Sequence, residues 1–129
     1  MALVDLVIAL ALLEFLFFGW AVGRARGRYG VAAPATSGHE MFERYFRVHM
    51  NTLEQLVIFL PSILIFSRYF DARLAAGLGL LFVIGRYLYF TGYVKDPKKR
   101  ELGFLISSVP NSILLIGAIV GAVRVLLLR

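Results

Sequence analysis

The sequence predicts an all-α, polytopic membrane protein, a bundle of four transmembrane helices. Three observations lead there. Of 129 residues, 60% are hydrophobic and the mean hydropathy is +0.79, whereas soluble domains run nearer about 45–50% apolar. The apolar residues gather into long blocks, the first of about 20 residues, enough to cross a ~30 Å hydrocarbon core. The charged residues stand between those blocks in short loops. A chain this short forms one domain, residues 1–129. Its formal charge of +6 therefore fits membrane topology and anionic headgroups, and no nucleic-acid partner is expected. Cysteine is absent, which excludes disulfides and protein thiol chemistry, so any sulfur chemistry belongs to a substrate.

The first block, Leu3 to Val22, reads as a retained helix. A signal peptide carries positive charge before its apolar run; here Asp5 stands at the start, and Arg24, Arg26 and Arg28 follow. Gly19, Gly23 and Gly27 recur every fourth residue and offer a flat face for helix contact. Glu14 lies mid-helix. It is either a carboxylate paired inside an oligomer or, in a small proton-coupled exporter, the titrating group.

Tyr29 to Glu40, with Gly30, Pro34, Ser37 and Gly38, reads as a loop. Thr36 or Ser37 is expected to cap the next helix, with Glu40 and Glu43 at its positive end. That helix runs from near Glu40 to about Phe70, and Pro61 is expected to kink it. Positions 47, 51, 54 and 58 share one of its faces, so Arg47, Asn51 and Glu54 line one side of a helix entering the membrane. A charge at the bilayer centre costs roughly 2.5–3.5 kcal/mol even on lenient scales. The face must turn to protein, water or ligand, either as a structural ion network or as a site for a polar, zwitterionic ligand.

Ser67 to Arg73 reads as a turn and Leu74 to Phe90 as the third block, with Gly77, Gly79 and Gly85 suited to packing. Arg86, Tyr89 (or Phe90) and Tyr93 share a face near its end. Tyrosines there also suit an interfacial belt, but Arg86 inside the apolar run needs an anion, and Glu54 is its expected partner. Lys95 to Glu101 is a second basic loop. Leu102 to Leu128 is the fourth block, interrupted by an inward patch at Ser107, Ser108, Pro110, Asn111 and Ser112, with Gly117 and Gly121 as small packing residues. The excess of basic residues in the first and third loops places those loops in the cytoplasm and both termini on the opposite side.

His39 and His49, the only histidines, have no ligand set around them, so no metal site is expected. No phosphate loop or serine triad can be built. Arginines, an amide, a carboxylate and tyrosines at a membrane boundary suit a small peptide-like ligand, its carboxylates clamped by arginine and its ammonium held by Glu54. A thiol on that ligand has a reference pKa near about 8.5. Lowering it to about 6.5 takes roughly 2.7 kcal/mol. One partly desolvated arginine at ~4 Å supplies about that.

The run Arg47-x-x-x-Asn51-x-x-Glu54, then Gly85-Arg86-x-x-Tyr89-x-x-Gly92-Tyr93 and Arg100, resembles the MAPEG family, membrane-associated proteins of eicosanoid and glutathione metabolism. The resemblance spans essentially the whole chain. It implies a homotrimer with glutathione, as co-substrate, bound between neighbours near the cytoplasmic surface. By similarity Arg26, Arg47, Asn51, Glu54, Tyr89 and Tyr93 bind glutathione and Arg100 stabilises its thiolate. The implied activity is transfer of glutathione to lipophilic electrophiles and reduction of lipid hydroperoxides, with a non-catalytic lipid-binding scaffold as the alternative. Two departures argue against leukotriene synthesis: Gly27 stands where the family's leukotriene synthase has a second arginine, and Gln55 where it has a tyrosine.

Overall fold

The computed structural model describes residues 1–129. It contains α1 (Ala2–Tyr29), α2 (Glu40–Tyr69), α3 (Ala72–Lys95), a 3-10 turn (Pro97–Arg100) and α4 (Glu101–Leu127). All four helices are long and apolar enough to cross a membrane, and they outrun the blocks read from hydropathy. The basic residues that close the first apolar block remain helical to Tyr29. Arginine is a good helix former, and Arg26 and Arg28 complement the negative end of the helix dipole. Gly30 then ends α1 in the left-handed conformation, φ 69°, its N–H returning to the Arg26 carbonyl. Hydropathy marks the part of a helix that lipid covers, not where its hydrogen bonding stops.

The cap of α2 differs from expectation. His39, rather than Thr36 or Ser37, occupies the extended position before Glu40, and its Nδ1 accepts from the Met41 N–H at 3.0 Å. The same ring stacks on Tyr29 at 4.5 Å, so it ties the end of α1 to the start of α2. α2 continues without interruption through Pro61, which is exposed. The turn expected over Ser67 to Arg73 shrinks to Phe70 and Asp71. Ser67 stays helical, its hydroxyl donating to the Ile63 carbonyl at 2.6 Å, and Asp71 caps α3 by accepting from the Arg73 N–H at 2.8 Å.

Val4, Val7 and Ala11 of α1, Phe59 and Ile63 of α2, Ala75, Ala76 and Phe82 of α3, and Leu114 of α4 form the main core. The Phe59 and Phe82 rings stack at 4.1 Å. Leu12, Leu16, Ile116 and Leu126 among others point outward, the apolar exterior that suits a lipid solvent.

Contact between α3 and α4 is set by two glycines. A Cβ on Gly85 would collide with the Ser107 backbone, and one on Gly103 with that of Tyr89. Ser107 is buried there, its hydroxyl donating to the Gly103 carbonyl at 2.9 Å. Close backbone approach of this kind suits helices in lipid, where apolar burial between helices gains little over contact with acyl chains. Gly117 and Gly121 likewise lie against Phe66 and Tyr69 of α2. The flat face expected on α1 is used within the protomer only at Gly19, against His49, since a Cβ on Gly23 or Gly27 would meet nothing.

Substituting Gly103→Val forces α3 and α4 apart and should cost about 1–3 kcal/mol or more. Gly23→Ala should stabilise by up to about 1 kcal/mol, because the side chain enters open space on a helix. Thermal unfolding in detergent compares the two. The Arg73 backbone N–H, followed by its guanidinium, holds the Asp71 carboxyl below the usual aspartate range. That contribution is complete above the ordinary aspartate pKa and fades as pH falls through the lowered one. Asp71→Asn should flatten the acid limb of the unfolding profile.

Candidate functional site

At one end of the bundle, α2, α3, the 3-10 turn and α4 enclose a pocket of about 290 Å³ lined by Arg47, Asn51, Tyr89, Tyr93, Arg100 and Phe104. Helical period explains the convergence. Arg47 and Asn51 are one turn apart on α2. Tyr89 and Tyr93 are one turn apart on α3 and stack at 5.5 Å. Arg100 arrives by a chain reversal. The Asp96 N–H closes α3 onto the Gly92 carbonyl, and its carboxylate caps the 3-10 turn by accepting from the Lys98 N–H at 3.1 Å. Pro97 opens that turn. Gly92 permits the reversal, since a side chain there would meet the Lys99 carbonyl oxygen at 2.6 Å. Arg44 steadies the same end of α3, its Nη1 donating to the Val94 and Lys95 carbonyls at 3.0 and 3.1 Å. Basic groups suit the negative end of a helix.

Behind the pocket lies Arg86, fully buried. Its Nη1 donates to Asn51 Oδ1 at 2.7 Å, and its guanidinium sits 4.3 Å from the centre of the Tyr89 ring. A guanidinium has no acceptor, so the contact fixes the Asn51 amide: the oxygen faces Arg86 and the nitrogen faces the pocket. That nitrogen lies 3.5 Å from Glu54 Oε1, which is also 3.5 Å from Arg47 Nη1. Arg47 and Glu54 are more than half exposed, so their pair adds little stability. Its value is to hold donors and a carboxylate side by side at the rim.

The expected Glu54–Arg86 contact does not form. Glu54 sits at the exposed rim while Arg86 is buried against α2, where Asn51 takes its hydrogen bond. The carboxylate level with Arg86 is Glu14 of α1, because α1 and α3 pack side by side with Val7 against Gly79 and Phe18 stacked on Phe90. Arg26 stands apart from the pocket in this chain: its Nη1 donates to the Ala35 carbonyl at 2.6 Å, and its guanidinium lies over the Phe42 ring at 4.8 Å. His49 packs on Phe15 at 4.5 Å. Sequence reasoning missed Phe104, an apolar residue in an apolar block that carries no pattern of its own. It flagged Asn111 but not its partner. Asn111 Nδ2 donates to the Gln55 carbonyl and side-chain oxygens at 3.2 and 3.0 Å, which turns Gln55 toward α4.

Fold and site together define an integral, multi-pass membrane protein of four helices with an arginine–amide–tyrosine pocket at one end of the bundle. The profile of the MAPEG family matches residues 4–120, and the chain belongs to that family. An uncharacterized protein of Synechocystis is 47% identical over 114 residues, 88% of this chain and 83% of that protein. Microsomal glutathione S-transferase 2 of Mus musculus is 39% identical over 105 residues, 81% of this chain and 71% of the relative. Leukotriene C4 synthase of Bos taurus is 30% identical, with 99% of this chain and 96% of the relative covered.

Asn51→Leu should cost about 1.5–3 kcal/mol by stranding a buried charge. Asn51→Asp keeps an acceptor for Arg86 and should retain stability. Unfolding in detergent separates the two.

Proposed function

We propose that this protein is a membrane-bound glutathione transferase that joins glutathione to lipophilic electrophiles. The observation that carries the reading is the meeting of Arg47, Asn51, Tyr89, Tyr93 and Arg100 around one pocket, in a chain similar to microsomal glutathione S-transferase 2 and leukotriene C4 synthase. Glutathione has two carboxylates, two amides, an ammonium and a thiol. Arg47 supplies a guanidinium for a carboxylate, Asn51 a fixed N–H donor for a carbonyl, and Glu54 a counter-charge for the ammonium. The stacked tyrosines add phenolic donors and a flat wall.

Arg100 stabilises the thiolate. The thiol proton passes to water, the sulfur attacks the electrophilic carbon, and the carbon–sulfur bond forms as the leaving group departs or a strained ring opens. With a lipid hydroperoxide, the thiolate attacks the peroxide and the O–O bond breaks to give the lipid alcohol. The sulfenic acid of glutathione then condenses with a second glutathione to a disulfide and water. The electrophile reaches the site from the bilayer, along the apolar exterior.

The working unit is a homotrimer with the site completed between neighbours. Arg26, apart from the pocket within one chain, would then serve a neighbour's site. The excess of basic residues in the first and third loops supports a cytoplasmic position for the pocket. Gln55, held by Asn111 rather than lining the pocket, and Gly27 leave leukotriene synthesis the less suited activity.

Mixing the detergent-solubilised protein with glutathione should raise ultraviolet thiolate absorbance. Arg100→Ala should abolish that signal and lower kcat/KM with a generic aromatic electrophile by about 100-fold. Asn51→Asp should lose glutathione affinity by about tenfold or more while the protein stays folded, because the donor facing the ligand becomes an acceptor. Lipid binding with no thiolate formation in the wild type would favour a scaffold and overturn the reading.

A further inference from the structure

Among the carboxylates, Glu14 has a buried oxygen with no partner. It lies midway along α1, and the unpartnered atom is its Oε1. Across from it, on α3, Arg86 is fully buried. Its Nη1 is bonded to Asn51, but its Nε and Nη2 have no partner. A guanidinium removed from water needs both a counter-charge and acceptors. Asn51 gives it one neutral acceptor, and the Tyr89 face gives a weaker electrostatic contact. No acidic side chain forms an ion pair with it, since Glu54 is held at the rim by Arg47. Glu14 is the carboxylate level with it on the neighbouring helix: Val7 packs against Gly79 and Phe18 stacks on Phe90 at 4.9 Å, so α1 and α3 run side by side in a register that sets position 14 opposite position 86.

We infer that Glu14 is a positioning residue for the glutathione site. Its carboxylate is the counter-charge that orients Arg86, and Arg86 in turn fixes the Asn51 amide with its N–H toward the ligand. The chain of action runs from α1 through α3 to α2. Glu14 touches no ligand. Without its charge, the guanidinium is free to turn to other acceptors, and the Asn51 amide loses the donor that distinguishes its two ends. This inference rests on the proposed use of glutathione.

The test compares wild type, Glu14→Gln, Glu14→Leu and Asn51→Ala, each alone and with position 14 combined with position 51. Glu14→Gln keeps the shape and removes the charge. Glu14→Leu removes the charge without leaving a second unpartnered polar group in an apolar helix, and thermal unfolding in detergent checks that both variants stay folded. Both should raise the KM for glutathione about tenfold, with kcat and the KM for the aromatic electrophile within about twofold of wild type. In the Asn51→Ala background the same changes should add almost nothing, because the two positions act through one group. Glu14→Asp should restore part of the affinity.

A structural role alone predicts otherwise: lower thermal stability, unchanged KM for glutathione, and effects at 14 and 51 that add. Either unchanged KM or additivity overturns the inference. A second readout does not need glutathione. The side-chain amide resonances of Asn51, followed by 15N NMR in detergent, should shift on Glu14→Gln, and an unmoved signal rejects the relay. A wild type that ignores glutathione would sink the transferase reading while leaving this measurement to judge the relay.

Discussion

The constraint on which this structure turns is one buried guanidinium. Arg86 is fully enclosed by the helices, where an unpaired charge is costly. Its surroundings are arranged accordingly: an amide oxygen from α2 at 2.7 Å, an aromatic face one turn along its own helix, and the Glu14 carboxylate at the same level on α1. The hydrogen bond to Asn51 ties α3 to α2 at this depth. The same contacts decide that Asn51 offers a donor, rather than an acceptor, to the pocket.

Two further devices carry that geometry outward. The backbones of α3 and α4 meet at Gly85 and Gly103, which fixes the height of Phe104 beside Tyr89 and Tyr93. The reversal after α3, built from Gly92, Asp96 and Pro97, then brings Arg100 back over the tyrosines. Burial in lipid gives helices little reason to choose one neighbour over another. Specific small residues and a few polar contacts therefore do what a hydrophobic core does in water.

The legible part of the fold was its coarse plan. Four apolar blocks separated by charged loops are a direct consequence of the hydrocarbon thickness. The ends were less legible: α1 continues to Tyr29 and α2 begins at the unforeseen cap His39, because helices persist beyond the membrane wherever the residues favour them. The site was readable as two helical faces, Arg47–Asn51–Glu54 and Arg86–Tyr89–Tyr93, since period alone sets which side chains share a side. The pairing between those faces was not. Glu54 looked the natural partner of Arg86 by charge and depth, yet burial differs between them, and the neutral Asn51 takes the contact.

By itself, then, the sequence determined the number of crossings, the residues on each polar face, and the resemblance to a family to which the chain belongs. These are local or compositional properties, set by side-chain chemistry and the 3.6-residue turn. Only the tertiary structure decided which acid stands level with the buried arginine, which end of Asn51 faces the pocket, and that Arg26 lies apart from it within one chain. Those outcomes depend on the rotation and depth of each helix against its neighbours. Such choices are made by contacts between residues far apart in the chain, which no periodicity along one helix encodes.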